Sequence, residues 1–347
     1  MSNGSMRALV LHDFHDLRVE TLDLPVPGPG DVLVRVAEVG ICGSDIHGYT
    51  GENGRRAPGQ VMGHEASGTV EHDPSGRYAP GDRVTFNPLV SCGECGACAA
   101  HEEQHCRNRF VIGVRADRRA AFADFVVVPE RNVHRLPDTV GTREGALIEP
   151  LAVAVHAVRR ARVRDGDRVL IIGGGPVGQS LVLALHDAGI ATVVVSELDA
   201  GRRALCAELG AIVVDPGSQD LADAVAAAAG APADVTFDAV GISSTVTAAL
   251  GATADGGRIL LVGMGSPALE IAAFEVSTRE REVIGSFCYS AGDFRAAIAL
   301  AGRVADGLAK MVSSVITPDE TPAELARLGA GDLPAGKVLV RFGAPEG

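Results

Sequence analysis

Tryptophan is absent from this chain of 347 residues, tyrosine occurs three times, and aromatic residues make up only 4% of it. Large rings therefore do not wall its binding surfaces, and a small or polar ligand fits better than an extended apolar one. No run approaches the ~18 consecutive apolar residues of a membrane-spanning helix. Residues 1–5, before Met6, carry no apolar core of a secretion signal, which points to a cytoplasmic protein. Basic residues are also in the minority: 31 Lys and Arg against 44 Asp and Glu give a net charge of −13. That balance excludes nucleic acid and anionic membrane as partners, since both reward clustered positive charge. The seven cysteines are then thiols or metal ligands, because the cytosol keeps thiols reduced.

What is present suits about two domains. Residues 6–40 alternate apolar and polar positions, with Pro25, Pro27, Gly28, Pro29 and Gly30 as turn signals. Strands are expected at 68–71, 82–86 and 125–128, so 6–150 reads as a β-rich domain with long functional loops. After Glu149-Pro150 the pattern changes. Short β-branched runs at 168–172, 192–196, 212–214, 234–238, 258–262 and 282–285 alternate with Ala/Leu-rich helical stretches at 177–188, 200–209 and 221–229. That alternation predicts a doubly wound parallel sheet over 151–287. The tail, 288–347, with a helix and a strand at 337–341, is expected to return and complete the first domain.

Cys92, Cys95, Cys98 and Cys106 follow one another with two, two and seven residues between them. Four thiolates in so short a loop form the closed shell of a structural zinc, and the small residues Gly93, Gly96 and Ala97 let the chain wrap one ion. An iron–sulfur cluster is the weaker alternative, since the spacing matches no ferredoxin pattern.

A second set is more dispersed. Cys42 and His64 supply one thiolate and one imidazole, which cannot fill a zinc shell alone. A carboxylate must join them, and both Glu65 and Glu149 are candidates; the sequence leaves the choice open. A catalytic zinc acts as a Lewis acid that lowers the pKa of an alcohol, so that hydride can leave the carbon for a nicotinamide. Ser44 and His47 then offer a hydroxyl and an imidazole as a route for the proton. Ser44 has a plainer reading, as the cap of a helix that begins near Asp45.

Val169-Leu170-Ile171-Ile172 leads into Gly173-x-Gly175-Pro176-Val177-Gly178, and a helical run follows. Gly173 allows the tight turn, Gly175 a close backbone approach to a pyrophosphate, and Gly178 close helix–strand packing. Glu197 stands nineteen positions after Gly178, at the end of the next strand. An acid there accepts hydrogen bonds from ribose hydroxyls and repels a 2′-phosphate, which selects NAD over NADP. Arg202 is placed to lie against the adenine.

Together these motifs resemble the zinc-dependent medium-chain alcohol dehydrogenases, in the branch holding sorbitol, threonine and butanediol dehydrogenases. The matching stretches are Cys42-Gly43-Ser44-Asp45-Ile46-His47, Gly63-His64-Glu65-Ala66-Ser67-Gly68, Gly81-Asp82-Arg83-Val84, the four-cysteine loop, Gly145–Leu151 and the glycine motif. They span Met6 to about Phe342. The resemblance implies a GroES-like catalytic domain and a Rossmann cofactor domain, one catalytic and one structural zinc, NAD, and a homodimer or homotetramer. It implies Cys42 and His64 as catalytic ligands, with Glu65 and Glu149 sharing the third ligand and the bound water, and Ser44 and His47 as the proton relay. By family position Tyr49, Phe287 and Tyr289 are nearest the substrate. The sorbitol dehydrogenases usually carry arginine at the position of Cys288, so sorbitol itself fits less well than another polyol, a vicinal diol or a cyclic sugar alcohol. Oxidation of an amino alcohol, as by L-threonine 3-dehydrogenases, and a silent NAD-binding relative are the alternatives.

Overall fold

The computed structural model describes residues 4–52 and 54–343. The chain divides into two compact units, Met1–Glu149 with Ser290–Gly347, and Pro150–Tyr289. Among the described residues no helix is long and apolar enough to cross a membrane.

The first unit is built around the strand Asp31–Gly40, seven of whose ten residues are buried. It pairs antiparallel with Glu65–His72, with Phe125–Pro129 and with the late strand Lys337–Arg341. Arg83–Phe86, Val133–Arg135 and Val312–Ile316 extend this seven-stranded sheet. Val34, Val36, Val70, Val84, Phe86, Phe122 and Val340 fill the core beside it, and burial of such apolar surface is what holds a sheet of this kind together. Two registers converge at one end of the central strand. Gly40 lies opposite Glu65 on one side and opposite Leu339 on the other, so residues far apart in sequence meet there.

The second unit is a six-stranded parallel sheet in the order Ile212–Val214, Thr192–Ser196, Arg168–Ile172, Ala233–Asp238, Thr253–Leu261, Glu282–Gly285. This is the strand order of a dinucleotide-binding fold, with its crevice at the reversal beside the first strand. The strand expected at 258–262 begins earlier, at Thr253, because the Asp255-Gly256-Gly257 stretch that reads as a turn is carried within the strand, with Gly256 at φ 69°. The helix Ser243–Ala252 has no counterpart among the expected helices; its Ser, Thr and Val residues have weak helical propensity.

Candidate functional site

Cys42 caps the helix Gly43–Thr50 from an extended conformation, and its carbonyl accepts from the N–H groups of Asp45 and Ile46. Asp45 closes the cap: one carboxylate oxygen accepts from the Cys42 N–H at 3.2 Å. Ser44 therefore sits inside the first turn and does not cap it. The other oxygen of Asp45 accepts from the Arg56 guanidinium at 3.2 Å and stands 3.6 Å from Nδ1 of His64. Asp45 and Arg56 are both buried, and Gly48 leaves room for the arginine, since a Cβ there would come within 2.3 Å of Arg56 Cγ. Asp45 thus fixes the turn that presents the thiol, and its carboxylate stands beside the imidazole. Such outer carboxylates orient metal-binding histidines.

His64 ends the approach to the strand that starts at Glu65, across a Gly63 with φ 94°. One ligand atom from each of Cys42, His64 and Glu65 lies within 4.8 Å of the others. Glu149 is outside that trio, yet its charge reaches His64. Burial opposes protonation of His64, but Asp45, Cys42 and Glu149 outweigh it and carry the imidazole up to about 10. The donor set suits a dication. Soft thiolate, imidazole and carboxylate are ligands of a catalytic zinc, and Nδ1 of His64 is buried with no hydrogen-bond partner.

Ser44 and His47 lie three residues apart on one helix, a spacing that shares a face. The Ser44 hydroxyl is 3.4 Å from Arg56 Nη2. His47 is half exposed and its Nδ1 is 2.8 Å from Glu52. Tyr49 is a packing residue, buried with its hydroxyl donating to the His15 carbonyl at 3.0 Å.

The four cysteines of the loop gather as a separate cluster. Their sulfurs lie 3.5 Å apart for Cys95–Cys98 and Cys92–Cys106, and 3.9 Å for Cys92–Cys98. A tetrahedron with Zn–S of about 2.3 Å has sulfur edges of about 3.8 Å, so the loop is already shaped for zinc. N–H groups of Glu94 and Cys95 pull the Cys92 thiol down to about 6, while in the same cluster the Cys95 thiol is pushed up to about 11, with Cys98, burial, Cys92 and Cys106 raising it. Glu103, within the loop, accepts from the N–H of Ala291 at 3.0 Å and so ties the loop to the helix Ala291–Arg303.

In the second unit Gly175 caps the helix Pro176–Asp187, and Gly173 adopts φ 99°. A Cβ on Gly178 would come within 2.0 Å of the Gly173 carbonyl oxygen, so glycine is required there. Val177 and Gly178 thus lie in the first helical turn, whose N–H groups suit a phosphate. The Glu197 carboxylate accepts from the N–H groups of Gly174 and Asp199. Arg202 donates its backbone N–H to the capping Asp199. Arg203, which no motif signals, holds the turn through the Glu197 carbonyl at 2.8 Å and Asp215 at 3.1 Å.

Residues 28–138 match the alcohol dehydrogenase GroES-like domain, and residues 176–303 the zinc-binding dehydrogenase domain. The 2-dehydro-3-deoxy-L-galactonate 5-dehydrogenase of Pseudoalteromonas atlantica is 38% identical over 293 residues, 83% of this chain and 85% of that protein. The sorbitol dehydrogenase of Macaca fascicularis is 37% identical over 294 residues, 81% of each chain. A structure from Sinorhizobium meliloti 1021, described as a zinc-binding dehydrogenase bound to NADP, superposes with a TM-score of 0.86 at 34% identity, over 97% of this chain and 99% of that one.

Proposed function

Since this chain belongs to the zinc-dependent alcohol dehydrogenase family, we propose that it oxidises a secondary alcohol to a ketone with NAD, reversibly, and that its substrate is a polyol, vicinal diol or cyclic sugar alcohol. The observation that carries this reading is the convergence of Cys42, His64 and Glu65 ligand atoms within 4.8 Å of one another, with Asp45 behind them. When bound, zinc supplies Lewis acidity to the alcohol oxygen and the nicotinamide accepts the hydride.

The chain's own residues do the rest. Cys42, His64 and Glu65 would hold the metal, and Asp45 keeps the Cys42 turn in place beside His64. Glu149, whose charge reaches His64, would hold the water or substrate oxygen. Ser44 takes the proton from the substrate hydroxyl and passes it to His47, whose exposed ring delivers it to solvent. Cys92, Cys95, Cys98 and Cys106 hold the second, structural zinc. Gly173, Gly175, Pro176, Val177 and Gly178 receive the pyrophosphate of the dinucleotide, Arg202 flanks its adenine, and Glu197 takes the adenosine ribose.

The relatives named for sorbitol and a sugar acid support a hydroxyl flanked by other oxygens. They count against an L-threonine-type amino alcohol and against a silent NAD-binding role. Seven cysteines with no disulfide among the described residues support a cytoplasmic setting, where we place the protein as a homodimer or homotetramer. Initial rates of NAD and NADP reduction with butanediols, linear polyols, cyclitols and aminocyclitols test the assignment. Turnover of simple monoalcohols alone would refute the substrate class.

A further inference from the structure

A buried lysine faces the metal site from the far end of the chain. Lys337 opens the strand Lys337–Arg341 and is 4% exposed. Its backbone N–H donates to Met311 at 2.7 Å, and Gly336 must be glycine because a Cβ would come within 2.1 Å of the Met311 carbonyl oxygen. So anchored, its ammonium reaches the Ile41 carbonyl at 3.3 Å, donates to Oε1 of Glu65 at 2.8 Å and stands 2.7 Å from Oε2. Gly40 clears the space for that carboxylate, since a Cβ there would come within 2.3 Å of Oε2.

We propose that Lys337 is a positioning residue that shares Glu65 with the metal, weakening metal binding at Cys42–His64–Glu65 and sharpening its Lewis acidity. The inference rests on the metal reading of that trio. A dication on Oε2 at the usual ligand distance of about 2.0 Å stands within about 5 Å of the ammonium, given the 2.7 Å separation of Nζ from that oxygen. Two cations that close in a dry site repel strongly. The lysine also draws electron density from the carboxylate that would otherwise quench the metal. In the metal-free chain the same ammonium neutralises Glu65, so the trio stays folded without its ion.

The test is cobalt(II) titration of the full-length wild-type chain and Lys337→Met against a competing chelator, with thermal unfolding of both forms. The four-thiolate site has its own cobalt absorption and serves as an internal control. The proposal expects cobalt to bind the trio at least about tenfold more tightly in Lys337→Met, with the cysteine loop unchanged. It expects the metal-free variant to melt lower than wild type by more than the metal-loaded variant does. The pKa on the acid side of the kcat/KM profile should rise by about one unit. Equal or weaker cobalt binding would overturn the role of Lys337 and leave the metal site intact. A wild-type chain that takes cobalt only at the cysteine loop would overturn both. If Lys337→Met does not fold, Lys337→Gln is measured with the same expected directions. Failure of both to fold with metal bound would overturn the proposal, which requires the loaded site to hold without the ammonium.

Discussion

The carboxylate of Glu197 accepts a hydrogen bond of 2.7 Å from the N–H of Gly174, bringing the acid to the glycine loop across 23 positions of sequence. Its second oxygen accepts from Asp199, so the side chain is held in place before any ligand arrives. A fixed negative charge there is what a 2′-phosphate would meet. Glu197→Gln should move the ratio of kcat/KM for NAD over NADP toward NADP by about 10-fold or more. Unchanged preference, measured as initial rates with both cofactors, would remove Glu197 from that role.

Asp45 stands 3.6 Å from His64 Nδ1 and caps the helix that Cys42 opens. Asp45→Asn keeps the shape but loses the charge that orients the ring and opposes Arg56. Metal affinity at this site should fall about 10- to 100-fold, as for other such carboxylates. Metal analysis after dialysis against graded chelator would show one zinc lost early and the cysteine-loop zinc retained.

The cysteine loop makes the opposite demand. Cys92→Ser removes one corner of a tetrahedron whose sulfurs stand 3.5–3.9 Å apart. The variant should bind one zinc per chain in place of two and melt about 10 °C lower, because a structural metal contributes directly to folding. Mass spectrometry under native conditions counts the ions, and unchanged melting would argue against a structural role.

His134 provides a pH handle. Its ring packs 5.5 Å from that of Phe294. Burial, then Arg295 and Arg77, push its pKa down to about 4. The unfolded chain, with histidine near 6.5, binds the proton first as pH falls. Stability from neutral His134 is therefore complete above about 6.5 and is lost between there and about 4, by up to about 3 kcal/mol. Urea unfolding of His134→Phe across that window should show a flatter acid limb than wild type.

These sites differ in how plainly the sequence announces them. Four cysteines and a glycine turn are legible because the metal and the phosphate impose their spacing within a few residues. The strand Lys337–Arg341 is legible too, from its Val-Leu-Val run after the Pro334–Gly336 turn. Lys337 as a neighbour of Glu65 is not, since 272 positions separate them and only the pairing of two strands with Asp31–Gly40 brings them together. In the sequence Ser44 is read for the proton relay, with the cap of a helix beginning near Asp45 as the alternative; the structure gives the cap to Cys42 and Asp45, and Asp45 also answers a buried arginine. The choice between Glu65 and Glu149 is equally out of reach of the sequence. Gly40 and Glu65 face each other in one register, and Glu65 lies with Cys42 and His64 among the candidate ligands.

The most direct test of the account is the rate of NAD reduction by the zinc-loaded chain across a panel of vicinal diols, polyols and cyclitols, repeated after the metal is stripped and with Cys42→Ser. The account predicts turnover of at least one such substrate with NAD, loss of it on stripping, recovery with added zinc, and at least about a hundredfold lower kcat/KM in the variant. Full activity in the stripped chain or in Cys42→Ser would contradict it.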